Sequence, residues 1–305
     1  MNKIVSFAML IAVLIVLASC STPAPTRAPM AVPPTSLRQP TDALAAIQAP
    51  IGQSYTNSLG MKFVPVPGTS VLFCIWETRV RDWAAYASAN SGVDRSCEHL
   101  TFLGVPVNDG SDHPILRINW SEAQAFCEWL TRKEQSAGLI RPSQSYRLPT
   151  DLEWSTAVGL PSESGITPKE RDKKVQNVYP WGSQWPPPSD AGNYADRSGQ
   201  SKFSGWTGIR GYDDGYAATA PVGSFAANRY GIYDLGGNVW EWCEDFYDGK
   251  SGAHVLRGAS WMDRSNVDLL SSSRFALLPN VGYAAAGFRC VLTSMSPEQQ
   301  KASSK

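Results

Sequence analysis

Along the chain the apolar residues fall into one long run, three helical stripes and four short alternating stretches. Over 77–89, Val80, Trp83, Ala84 and Ala87 share a face at helical spacing, which predicts a helix. A second helix is predicted from Ser121. Ser121 and Gln124 have capping-box spacing, and Ala123, Phe126, Trp129 and Leu130 form its apolar stripe. A third follows Thr150, boxed with Glu153, with Leu152 and Val158 inward. Past Val158 the helical period stops. From 161 to 229 the chain is mostly Gly, Pro, Asp, Asn and aromatic residues and reads as long ordered loops. Loops of that length inside a compact domain need pinning by something other than helix or sheet. Short strands are predicted at 61–65, 237–241, 254–257 and 287–292.

The long apolar run, 4–18, follows Lys3, the only charge before Arg27, and ends in Leu17-Ala18-Ser19-Cys20. A basic start, an apolar run too short to span a bilayer and small residues at its end predict an export signal over 1–20. Leu-Ala-Ser-Cys resembles the lipobox of bacterial lipoproteins, which implies cleavage before Cys20 and a lipid anchor on it; Ser21 rather than Asp after it favours the outer membrane. Residues 21–51 form a Pro-rich tether, 52–294 the folded domain and 295–305 a polar tail.

Composition narrows the function. Lys and Arg total 27, and so do Asp and Glu, so there is no basic excess for a nucleic-acid partner. Eleven Trp, 25 Gly and 22 Pro predict a loop-rich body held by aromatic packing rather than a helical bundle. Cys74, Cys97, Cys127, Cys243 and Cys290 form no CxxC pair, and His99, His113 and His254 are scattered, which argues against a zinc or non-haem iron site.

A series of motifs makes the reading specific. Gly60-Met61-Lys62-Phe63-Val64-Pro65 opens it; Ile118-Asn119-Trp120, Ala125-Phe126-Cys127-Glu128-Trp129-Leu130 and Tyr146-Arg147-Leu148-Pro149-Thr150 follow. Then come Tyr179-Pro180-Trp181-Gly182, Tyr230-Gly231-Ile232-Tyr233-Asp234-Leu235-Gly236-Gly237-Asn238-Val239-Trp240-Glu241-Trp242, Arg257-Gly258-Ala259-Ser260-Trp261 and Gly287-Phe288-Arg289-Cys290. In this order they resemble the formylglycine-generating enzyme, or sulfatase-modifying factor, family over about residues 58–292. The resemblance implies an α+β domain with a variant C-type-lectin-like fold, loop-rich and low in regular structure. It also implies structural Ca²⁺ at two places, one at Asp234, Gly237, Val239 and Glu241, the other at Asp196, Arg197, Asp214 and Tyr216, where Arg197 and Tyr216 offer carbonyls only. Hard oxygens suit Ca²⁺, and alternate residues 237, 239 and 241 of an extended segment would share a side. The alternative is that these carboxylates cap turns. By the same resemblance Cys127 pairs with Cys290. Cys74 and Cys97 flank the first helix and form the natural second bridge, leaving Cys243 unpaired and partly buried.

One departure carries the functional expectation. The family's oxidase holds Cu(I) on two cysteines just after the Arg-Gly-x-Ser-Trp segment; here Asp263 takes the first position, and no Cys occurs between Cys243 and Cys290. Carboxylates do not replace thiolates as ligands of a soft ion, so no copper and no formylglycine formation are expected. Residues 261–288 also resemble the variable region of diversity-generating retroelement targets. Asn codons randomised at adenine cannot encode Lys, Glu, Gln, Met or Trp, and none of the five occurs from Asp263 to Arg289, where composition would place about four. Ordinary drift in a dead site is the alternative.

If this segment is the binding face, Met262, Asp263, Arg264, Asn266, Val267, Phe275, Leu277, Leu278, Asn280, Val281 and Tyr283 are its exposed side chains, though core packing would equally explain Leu277 and Leu278. The leading expectation is an exported lipoprotein that binds a protein or glycan ligand without chemistry. The alternatives are a copper-free enzyme, for which Asp263, Arg264, Asp268 and Cys243 are the candidates, and a structural part of an envelope complex.

Overall fold

The structure, a computed structural model, describes residues 52–250 and 252–294. The export signal, Cys20, the tether and the polar tail lie outside the described residues. The domain is α+β, as expected. Its strands are β1 (Tyr55–Thr56), β2 (Lys62–Pro65), β3 (Val71–Cys74), β4 (Thr101–Phe102), β5 (Val105–Pro106), β6 (Gln144–Arg147), β7 (Trp240–Phe246), β8 (His254–Arg257), β9 (Phe275–Leu277), β10 (Ala286–Gly287) and β11 (Val291–Ser294). Its helices are α1 (Val80–Ala89), α2 (Trp120–Ser136), α3 (Asp151–Val158) and two short ones, α4 (Pro168–Arg171) and α5 (Arg197–Lys202).

A five-stranded antiparallel sheet runs β1-β2-β3-β11-β6, and a four-stranded sheet runs β10-β7-β8-β9 with β10 parallel to β7. The predicted strand at 287–292 is two strands in two different sheets. Phe288, Arg289 and Cys290 carry the chain from one sheet to the other, all three with no exposure. Arg289 fixes this crossing. Its guanidinium grips Glu241 at 2.6 and 2.7 Å and donates to the carbonyls of Cys74, Tyr233 and Asp234.

Helix starts follow their caps. Asp82 reaches back to the Arg79 amide and guanidinium, so α1 begins at Val80 rather than at 77. The box at α2 is Asn119 with Glu122, not Ser121 with Gln124; Gln124 binds Glu244 instead. The stripe Ala123, Phe126, Trp129 and Leu130 is buried as predicted. Thr150 and Glu153 do cap α3, but this helix buries Trp154 and Ala157 and turns Leu152 out to 52% exposure. Between 161 and 229 the chain is loop apart from α4 and α5.

At the base of these loops lies a knot of buried charge. Asp151, the first residue of α3, accepts from Arg257 at 2.6 Å, from Arg274 at 3.0 and 3.1 Å and from Arg171 at 3.0 Å. Glu163 closes the far side of Arg274 at 2.6 and 2.7 Å. Burial alone would raise Asp151, but Arg257 and Arg274 outweigh it and hold the carboxyl down at about 2. Arg257 also stacks on Trp154 and donates to the carbonyls of Ser271 and Ser273. The backbone of 271–274 is thereby fixed just ahead of β9.

Replacing Asp151 by Asn leaves three buried guanidinium groups with too little negative charge, and should cost about 3–5 kcal/mol in urea unfolding. Because the folded carboxyl titrates below its unfolded value, the stability it confers is present above about pH 4 and is lost as the pH falls through about 2. The Asn variant should therefore lose less stability than the native protein as the pH is lowered through this window in urea unfolding.

Candidate functional site

The segment that follows Trp261 builds one wall of a cavity of about 220 Å³. Trp261 anchors it from below: its ring is stacked on Trp206 at 5.4 Å and touches Phe203 and Phe102, and its amide donates to the Asn238 carbonyl. That places Asp263 in the cavity. The Ser260 hydroxyl donates to its carboxylate at 2.6 Å, and burial, with Asp268 nearby, pushes the carboxyl up to about 6. Asp268 stands on the same cavity and is neutralised by Lys173 at 2.8 Å. Trp240, Phe275 and Tyr283 close the sides, with Trp240 and Phe275 ring centres 5.7 Å apart and Phe275 and Tyr283 6.0 Å apart. Ser273 and Arg274 form the floor, so the charge knot supports the cavity directly.

Of the predicted face, Arg264, Asn266, Val267, Phe275, Leu278, Asn280 and Val281 are exposed. Met262, Asp263, Leu277 and Tyr283 are half-buried, which corrects their assignment as exposed. Met262, Leu277 and Tyr283 pack on the main core, and the Tyr283 hydroxyl donates to the Met262 sulfur.

The two calcium sets differ in fit. Asp196 and Asp214 are brought together: the Asp196 carboxylate accepts from the Gly199 and Asp214 amides at 2.8 Å, and that of Asp214 from Tyr194 and Tyr216 at 2.9 Å. Burial raises both, Asp214 to about 7. Arg197 turns its side chain out to Asp213. Two adjacent carboxylates raised by burial are hard donors of the kind Ca²⁺ takes, but each of their four oxygens already accepts a backbone amide, and no cluster of three such ligands forms among the described residues. The second set does not fit as proposed. Both oxygens of Glu241 are taken by Arg289, and Trp154 donates to one of them as well. Nor is 237–241 an extended segment with alternating sides: Gly237 and Asn238 have φ of 83° and 59°, and β7 starts only at Trp240. Gly237 is required there, since a Cβ would strike the Asn193 carbonyl. The acid that sequence reading missed is Glu77. It is fully buried, accepts from Asn238 Nδ2 at 2.7 Å and from the Val239 amide, and stands near Asp234 and Glu241. At the start of the segment predicted as helix, nothing in its spacing marked it as a buried acid.

The sulfatase-modifying factor enzyme 1-like domain family matches residues 41–294. The chain belongs to that family. It is 31% identical over 211 residues to the formylglycine-generating enzyme of Thermomonospora curvata, covering 61% of this chain and 58% of that protein. Over 204 residues it is 30% identical to the inactive C-alpha-formylglycine-generating enzyme 2 of Mus musculus, covering 64% and 54%. The chain thus spans little more than half the length of these relatives. Among solved structures, PvdO from Pseudomonas aeruginosa aligns with a TM-score of 0.53 at 18% identity, covering 80% of this chain and 99% of that one. That likeness is one of fold. Since the relatives include one named an enzyme and one named inactive, membership alone does not decide between catalysis and binding.

For this sulfatase-modifying factor-like chain the local geometry bears on that question. Where the resemblance places the first thiol stands Asp263, and its cavity is lined by no sulfur. All five thiols in the described residues are buried and unbonded. Cys127 and Cys290 face each other with Sγ atoms 3.6 Å apart, in contact but not joined. Cys74 and Cys97 form no bridge, which corrects that pairing: Cys97 sits in a single turn, Ser96–His99, with its Sγ 3.5 Å from the Asp94 carbonyl. Cys243 has no exposure, and burial pushes its thiol well up, so it is inert rather than partly accessible.

The sulfur contact gives a test. After refolding in a glutathione redox buffer, non-reducing peptide mapping should recover one crosslinked pair, Cys127 with Cys290, and free thiols at Cys74, Cys97 and Cys243. A Cys74–Cys97 peptide would contradict this arrangement.

Proposed function

We propose that this chain is an exported lipoprotein whose lectin-like domain binds a protein ligand, without chemistry, on the face formed by residues 261–288. One observation carries the reading. Of the nine large apolar side chains exposed among the described residues, four, Val267, Phe275, Leu278 and Val281, fall in the fifteen residues 267–281. Clustered exposed apolar groups on a rigid frame mark a contact surface, and they suit a protein partner better than a glycan. The frame beneath them is fixed by buried ion pairs, so the exposed residues can change without loss of the fold. That tolerance, with the absence of Lys, Glu, Gln, Met and Trp from 263–289, supports the segment as a diversified region. Asp263 in place of a thiolate supports the absence of copper oxidase chemistry.

Asp196 and Asp214, with the carbonyls of Arg197 and Tyr216, would hold a structural Ca²⁺ that pins the 190–216 loops. The Leu-Ala-Ser-Cys sequence supports a lipid anchor at Cys20 and placement in the outer membrane.

The double variant Phe275→Ser/Leu278→Ser should keep the native melting temperature to within about 2 °C. Crosslinking to envelope proteins should recover a partner with the native chain and lose it with the variant; equal recovery by both would end the ligand-face reading, and binding to glycans alone would move it to another class.

Adding Ca²⁺ after chelation should raise the melting temperature, and Asp214→Asn should abolish that rise; no response to Ca²⁺ in the native protein would refute the metal. Cys20→Ser should shift the protein from the membrane pellet to the soluble fraction.

A further inference from the structure

The cavity beside Asp263 has a composition that the ligand-face reading leaves unused. Three features coincide there. First, the Asp263 carboxylate has neutral donors, the Ser260 hydroxyl and the Trp240 indole, but no basic partner among the described residues, whereas its neighbour Asp268 is neutralised by Lys173. Second, the walls are the rings of Trp240, Phe275 and Tyr283, with Phe275 39% exposed at the mouth. Third, Ser273 lines the cavity, is only 2% exposed, and its hydroxyl has no hydrogen-bond partner among the described residues. A buried hydroxyl without a partner is costly, and so is a half-buried carboxylate without a counter-charge.

One ligand chemistry answers all three. We propose that the cavity takes an alkylammonium group, such as a lysine side chain offered by the partner, with its N–H donors on Asp263 and Ser273 and its methylenes between the rings. Aromatic faces attract a cation, and more strongly once it is desolvated. The volume suits a single chain end: about 220 Å³ is room for roughly seven waters. An anion would meet Asp263 and Asp268, and a neutral alkyl group would bring no donor to Ser273 and no counter-charge to Asp263. Two cations line the cavity, and both are already paired: Lys173 on Asp268, and the Arg274 guanidinium on Asp151 and Glu163. At neutral pH Asp263 is mostly ionised, since its carboxyl titrates at about 6.

This inference rests on the ligand-face reading for its partner but not for its test. The probe is Nα-acetyl-lysine methylamide, followed by tryptophan fluorescence and by saturation-transfer NMR on the full chain. The native protein should bind it, and the norleucine analogue, equal in shape and uncharged, should not. Asp263→Asn should weaken binding at least about tenfold, the range expected when a charge-assisted hydrogen bond is lost. Ser273→Ala should weaken it less. Lys173→Gln should tighten it, a change in the opposite sense that general loss of structure cannot produce. Equal binding of the norleucine analogue, or of tetramethylammonium, which has no N–H, would overturn the proposal. So would an unchanged affinity in Asp263→Asn that retains the native circular dichroism. The two failures separate cleanly. If Phe275→Ser/Leu278→Ser keeps its partner while the lysine probe binds the native chain, the ligand-face reading falls and the cavity assignment stands; if the partner is lost but no probe binds, the reverse holds.

Discussion

The attraction between one buried carboxylate and three guanidinium groups organises this domain. Asp151 starts α3, Arg257 ends β8, Arg171 ends α4 and Arg274 leads into β9. Four segments separated by up to 123 residues thus converge on two oxygens. Three positive charges out of water would not be tolerated without Asp151 and Glu163, and the two acids would not be tolerated without the arginines. The rings and side chains of 275–283 follow directly from this fixed point, because Arg257 holds the carbonyls of Ser271 and Ser273. Rigid support below and variable contacts above is the arrangement a binding surface needs.

A second buried pair, Glu241 with Arg289, does comparable work where the chain changes sheets. It also settles how Glu241 is used. A carboxylate with both oxygens on a guanidinium has little left for a divalent ion, so the acids facing excess negative charge nearby are Glu77 and Asp234, the latter raised by burial to about 6. The Asp196 and Asp214 pair has no such guanidinium; backbone amides hold its oxygens, and burial raises both carboxyls.

Much of the fold was legible in the sequence because its signals are local. The stripe of α2, the Thr150 and Glu153 box and the strand at 254–257 depend on neighbours within a few residues. Boundaries shifted where a side chain chose a different local partner, as when Asn119 rather than Ser121 capped α2. Leu152 was misplaced because the α3 period admits two faces, and packing of Trp154 under Arg257 selects one. The site divides the same way. Asp263 and Phe275 follow from the motif order, but Lys173 and Ser273 reach the cavity only through long-range pairing, and no spacing in the sequence announces it. The Cys74–Cys97 pairing does not form because the single turn at Ser96–His99 directs the Cys97 sulfur to the Asp94 carbonyl.

The position of β11 has a consequence for how the domain is made. Val291–Ser294 lies between β3 and β6, pairing with both, although it is the last described strand to leave the ribosome. Until it inserts, β3 and β6 each present an open row of backbone donors and acceptors, and Val71, Phe73 and Tyr146 lack their native cover. Closure of the sheet is therefore a late, long-range event. A nascent chain halted before this strand would be sticky along two edges, the condition that calls for a chaperone.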